Sequence, residues 1–159
     1  MIPQMTVLLR VKELKQDQAF RAMRTKRAQT EEARSATEKA LGVVEKSART
    51  LPTREDAIYA EVIGKVIDLG QIDETRGKVV QLEKDHARLK DAWERARHVE
   101  ARLEKELETA TDVYRQSTKV KDKYAILTEA LKQEAAEIDT QREEAEVEDL
   151  FARPQKRPE

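Results

Sequence analysis

The residues with chemistry to offer are few, and their spacing keeps them apart. His86 and His98 are the only histidines, and cysteine is absent. Placed on one helix, His86 falls at a heptad a position and His98 at f, on different faces, so they cannot share a metal ion. Gly70 and Gly77-Lys78-Val79 superficially resemble a phosphate loop. Six residues separate the glycines where four are required, and Val79 stands where a serine or threonine would bind magnesium. Carboxylates are plentiful, but a general acid and base need a cleft that shifts their pKa values, and charges strung along thin helices have none. This reading contains no catalytic residue, no cofactor site and no metal site, and it excludes an enzyme.

The elements that would position these groups are helices. With 40% charged and 4% aromatic residues the chain cannot fill a thick core, yet its patterning is too regular for disorder. Ile72 to Asp149 reads as one long helix, 78 residues with no proline and a single glycine, or roughly 115 Å of helical rise. Its a positions recur every seventh residue from Val79 and its d positions from Leu82. Nine of the ten d residues are apolar or aromatic, without a stutter. The a row is weaker, holding His86, Glu100, Lys121, Thr128 and Arg142. A second apolar row lies at g, with Ala92, Val99, Val113, Val120 and Leu127 interrupted by Glu106, and it marks a face for a displaced first helix or for another protein.

A first helix is expected over about residues 6–49. It has an apolar start (Val7, Leu8, Val11, Leu14), a thin alanine stripe (Ala19, Ala22, Ala33, Ala36, Ala40) and an apolar end (Leu41, Val43, Val44), with Phe20 and Met23 on its flank. Pro52 should end it, and Thr53 with Asp56 resembles the cap of a short helix over about 54–69. Gly70 is a natural stop, and Asp73 or Thr75 could cap the long helix. Arm lengths favour a kink at Pro52 and the true turn at Gly70. The expected fold is all-α, an elongated two-stranded antiparallel coiled-coil hairpin with a short helix near the turn, in one domain spanning 1–159. The end of the long helix, about 72–149, should overhang, and a basic tail over about 151–159 should be disordered.

Net charge is −1 but unevenly distributed. Residues 1–27 carry a net +5, and residues 129–149 carry nine acids against Lys132 and Arg142. Folding back would set the basic start beside the acidic finish, which favours a monomeric antiparallel hairpin over a parallel dimer. Nucleic acid is a poor partner for a chain near neutrality with no interleaved aromatics. Val7-Leu8-Leu9 is far too short to insert in a membrane, so a cytoplasmic protein is expected.

The segment Leu51-Pro52-Thr53-Arg54-Glu55-Asp56-Ala57-Ile58-Tyr59-Ala60-Glu61-Val62-Ile63-Gly64-Lys65-Val66 resembles the YscO/HrpO family of type III secretion proteins, relatives of flagellar FliJ. The basic first helix, the long charged return helix and the acidic run Glu143 to Asp149 before a short basic tail are similar as well. The likeness covers nearly the whole length, and its most specific part is the Arg-Glu-x-x-x-Tyr-Ala-Glu region.

The resemblance implies a non-enzymatic stalk that engages the hexameric secretion ATPase and links it to the export gate protein, binds secretion chaperones, and sits at the base of the membrane-embedded apparatus. Family patches that touch the export gate are similar here to Leu41, Val44 and Ala48 with Tyr59, Val62 and Val66. Flagellar relatives often carry tyrosine where Val44 and Ala48 stand. For the ATPase, the implied contacts are the helix ends, with Arg10, Lys12, Lys15 and Arg21 on one arm and Glu143, Glu144 and Glu148 on the other. The rival reading is a generic structural coiled-coil tether or adaptor, homodimeric.

Overall fold

A computed structural model describes residues 1–153. Two helices account for nearly all of them: α1, Ile2–Ala60, of 59 residues, and α2, Leu69–Ala152, of 84 residues. No strand occurs among the described residues, and the helices pack against each other as an all-α hairpin. Alanine, leucine, glutamate, lysine, arginine and glutamine dominate both segments, so nearly every position favours helix. The expected tail falls partly inside α2, since Phe151 and Ala152 are helical. The remainder of that expectation, 154–159, lies outside the described residues.

The contacts divide into two compact units. One holds Met23–Ala110 and contains the turn. Within it Lys26 Nζ lies 2.8 Å from Glu106, Arg34 lies 3.3 Å from Glu104, Ser47 Oγ is 2.8 Å from His86 Nδ1, and Glu61 is 3.1 Å from Lys78. Later residues of α1 meet earlier residues of α2, which makes the pairing antiparallel. The other unit joins Met1–Ala22 to the chain from Thr111 on. There Lys12 sits over the Tyr124 ring, Gln16 Nε2 donates to Thr118 Oγ1 at 3.0 Å, and the Phe20 and Tyr114 rings stand 5.4 Å apart, again antiparallel.

On α2 the half-buried and buried residues recur at steps of three and four from Ile72 to Ala135, through Val79, Leu82, His86 and onward, in the expected a and d register. On α1 the register differs from expectation. Between Met23 and Leu51 the covered positions are Met23, Lys26, Thr30, Ala33, Thr37, Ala40, Val44, Ser47 and Leu51, with Leu41 half-buried beside Ala40, so Met23 belongs to the seam and Ala36 does not. In the other unit Ile2, Met5 and Leu9 are half-buried, while Val7, Leu8, Val11 and Leu14 face outward. A seam that uses lysine, threonine, serine and glutamine every few residues hides its own period from a hydrophobicity reading.

The polar seam residues are hydrogen-bonded. Thr30, 0% exposed, bonds its hydroxyl to Lys26 O at 2.7 Å and lies 3.3 Å from Leu103 O of α2. Thr75 and Thr128 likewise bond back to Gln71 O and Tyr124 O, at 2.9 and 2.7 Å. Among the described residues no buried side-chain nitrogen or oxygen lacks a partner.

Pro52 does not end α1, and no separate helix over 54–69 exists. Proline removes one backbone hydrogen bond and crowds the preceding turn. Here Thr50 donates to Lys46 O at 2.9 Å and Arg54 donates to Ser47 O at 3.1 Å, so side chains serve the carbonyls of that turn. The seam absorbs the disturbance by adding one residue: past Leu51 the half-buried positions are Glu55, Ile58 and Val62.

The turn is at neither Pro52 nor Gly70. It occupies residues 61–68, where Gly64 takes φ 77°, a conformation other residues rarely adopt, and Ile63 N closes the end of α1 on Tyr59 O at 3.0 Å. Asp68 then caps α2. Its carboxylate accepts from Gln71 N at 2.8 Å, and the Gln71 side chain accepts from Asp68 N at 3.1 Å, a reciprocal capping box. Gly70 therefore lies inside the first turn of α2, and neither Asp73 nor Thr75 is the cap.

Candidate functional site

The unit that contains the turn presents a compact exposed apolar surface. Tyr59, Ile63, Val66 and Leu69 are all exposed, Ile63 by 72%, with Val62 half-buried beneath them. They lie at or beside the turn, where α1 has ended at Ala60 and α2 begins at Leu69. Three of the expected gate residues, Tyr59, Val62 and Val66, lie at the end of α1 and in the turn. The other three do not join them: Ala48 precedes Tyr59 by eleven residues, or about 16 Å of rise, and Leu41 and Val44 lie further back. Val44 is core, whereas Ala48 is exposed and Leu41 half-buried. Ile63 and Leu69 escaped the sequence reading. Their signal is the apolar run Ile58 to Leu69, whose composition favours the short helix expected over about 54–69.

In the other unit the expected ATPase residues divide into two sets that do not meet. Among the described residues Arg10 pairs with Glu13 of its own helix, at 3.4 Å. Lys12 is half-buried, its ammonium 5.3 Å from the centre of the Tyr124 ring, where cation and π face attract each other. Lys15 is exposed beside Ser117 and Val120, and Arg21 is exposed. Glu143, Glu144 and Glu148 are exposed on α2 and share a surface with Thr140 and Val147.

No ion pair joins the two sets among the described residues. Gln16 meets Thr118 and Lys12 meets Tyr124, so the start of α1 is used up before the acidic run begins. This corrects the expectation that basic start and acidic finish lie side by side. Beyond Ala135 every described residue of α2 is exposed, and Val147, Leu150 and Phe151 stand in solvent, Phe151 by 87%. The overhang expected from arm lengths is thus present as a helix end bare on all sides.

Electrostatic effects elsewhere are local. Lys26 donates a hydrogen bond to the Glu106 carboxylate and holds it below its ordinary range. The Asp122 carboxylate beside Lys121 holds that ammonium above its own. The g row is mixed: Ala92 and Val120 are half-buried, Val99, Val113 and Leu127 are exposed, and Glu106 is occupied by Lys26. Ser47, His86 and Arg54 form a small polar cluster, with Arg54 donating to Ser47 Oγ at 3.0 Å. Nothing in it resembles a nucleophile with a base in an enclosed pocket. Among the described residues no group of acids and histidines is placed to hold a metal ion, and no helix is long and apolar enough to cross a membrane. What the arrangement offers is two exposed surfaces, one apolar at the turn and one acidic with apolar residues at the end of α2.

A sequence profile of the type III secretion protein YscO family matches residues 5–153. The crystal structure of the type III secretion protein YscO from Vibrio parahaemolyticus is similar in fold, with a TM-score of 0.82 at 18% identity, over 96% of this chain and 94% of that one. No curated protein sequence matches.

Proposed function

We propose, since this chain belongs to the YscO family of type III secretion proteins and so serves a type III secretion system, that it is a non-enzymatic stalk of the secretion ATPase, linking that hexamer to the export gate protein in the cytoplasm. The single observation that supports this most is the bare end of α2. A helix that continues 17 residues past the last half-buried position, Ala135 to Ala152, burying nothing in its own hairpin, is formed to enter something else. Its Glu143, Glu144 and Glu148 suit a basic bore. The basic side chains of α1, Arg10, Lys15 and Arg21, suit an acidic rim.

At the other end, Tyr59, Ile63, Val66 and Leu69 give an export gate an apolar surface to hold, and secretion chaperones are further candidates for it. A single hairpin is the working unit in this reading. Co-purification with the secretion ATPase and stimulation of its ATP turnover test it. Reversing Glu143, Glu144 and Glu148 to lysine should abolish both, and more completely at low salt than at high. Unchanged stimulation would refute the assignment of this end to the ATPase.

A further inference from the structure

We propose that, away from its other partners, this chain associates with a second copy of itself head to head, the acidic end of α2 of each copy lying along the outward face of the first turns of α1 of the other. All the residues involved belong to the unit formed by Met1–Ala22 and the chain from Thr111 on. The two surfaces are complementary, and neither is satisfied within one copy.

The first surface is the outward side of α1. Ile2, Met5 and Leu9 already supply the seam, yet Val7, Val11 and Leu14 repeat at i, i+4 and i+7 on the other side and are 63, 40 and 47% exposed. Arg10, Lys15 and Arg21 border that stripe. A helix carrying apolar stripes on two sides is made to be covered on two sides.

The second surface is the end of α2. Val147, Leu150 and Phe151 repeat at i, i+3 and i+4, the spacing by which a helix anchors in a groove, and Glu143, Glu144 and Glu148 border them. Apolar anchors with an acidic border thus face an apolar stripe with a basic border. Lengths agree too: Ala136 to Ala152 and Gln4 to Arg21 each rise about 25 Å.

A second copy is the occupant that brings these two surfaces together, since one copy cannot. The α2 end continues away from its own α1, and α2 runs to Ala152 without the break that folding back would require. A two-fold axis at the start of α1 sets each α2 end parallel to the other copy's α1 and makes the contact twice, so the assembly closes at two. This inference does not rest on the ATPase reading. It uses the same acidic end, so an ATPase and a second copy would exclude each other there.

Sedimentation of the full chain tests it. The expected result is a monomer–dimer equilibrium over about 1 to 200 µM that weakens as salt rises. Leu150→Ser with Phe151→Ser, or Val7→Ser with Val11→Ser, should each raise the dissociation constant at least about tenfold while leaving hairpin melting in place, since these side chains are exposed. Arg10→Glu with Lys15→Glu should also weaken the dimer, and adding Glu144→Lys with Glu148→Lys should restore it. A monomer throughout, a dimer indifferent to these variants, or assembly that does not stop at two would overturn the proposal. ATPase stimulation measured on the same variants reports on the other reading separately.

Discussion

Replacing Met23 by alanine tests the register of α1 directly, because hydrophobic patterning set Met23 on the flank and the structure sets it in the seam at 6% exposure. Met→Ala in a closed core costs about 2 to 5 kcal/mol. A two-helix seam is open to solvent on both flanks and can partly collapse, which argues for the lower end, about 2 kcal/mol. For a chain of this size that is a fall in melting temperature of about 4 to 8 °C. The matched control is Val7→Ala, which the sequence pattern made a seam residue and the structure leaves 63% exposed. It should move stability by less than about 0.5 kcal/mol, since alanine favours helix more than valine does. Unfolding followed by helical circular dichroism at low protein concentration measures both. Equal shifts, or a larger loss from Val7→Ala, would refute the seam.

Three further outcomes are expected. Asp68→Ala should cost about 1 kcal/mol by removing the cap of α2, and adding Gln71→Ala should cost little more, because the two residues act as one box; full additivity in urea midpoints would contradict this. Pro52→Ala should raise stability by about 1 to 3 kcal/mol with helix content nearly unchanged, since α1 is already continuous; a large gain in helix content would show a break there instead. The Glu106 carboxyl is held below its ordinary value of 4.5 by the hydrogen bond from Lys26. Its folded pKa lies below its unfolded one, so the pair stabilises the hairpin at neutral pH and this contribution fades as pH falls below 4.5 through the lowered value. The effect is small between exposed side chains, and Glu106→Gln should flatten that part of the acid limb.

Much of α2 was legible before any coordinates, and the reasons are physical. Its d row from Leu82 to Leu131 is leucine, alanine and tyrosine but for Ser117, so the period of the sequence and the period of burial coincide from Val79 to Ala135. The same reasoning failed on α1, whose seam alternates small apolar residues with Gln16, Lys26, Thr30, Thr37 and Ser47, while its bulkiest early residues point outward. Pro52 misled because local propensity is weak against a seam that continues past it, with Thr50 and Arg54 adding side-chain hydrogen bonds to Lys46 O and Ser47 O in the preceding turn. The sequence Asp68-Leu69-Gly70-Gln71 did carry a capping-box signal, three residues from acceptor to reciprocal side chain, and it was passed over for the glycine within it. Of the candidate surfaces, Tyr59, Val62 and Val66 were found through resemblance. Leu150 and Phe151 stand where the helix is expected to give way to a disordered basic tail, because they are followed by two prolines and basic residues.

The threonines of the seam have a further consequence. Thr30, Thr75 and Thr128 each bond to a carbonyl of their own helix, so these hydroxyls travel with their helices when the two strands separate. Parting the strands there breaks small apolar contacts and, at Thr30, a 3.3 Å hydrogen bond to Leu103 O, while each hydroxyl keeps its partner on its own helix, so little of the penalty that locks most polar cores shut is met. Such a seam can open and reclose a few turns at a time and return to the same register through the d row of α2, which is apolar or aromatic but for Ser117.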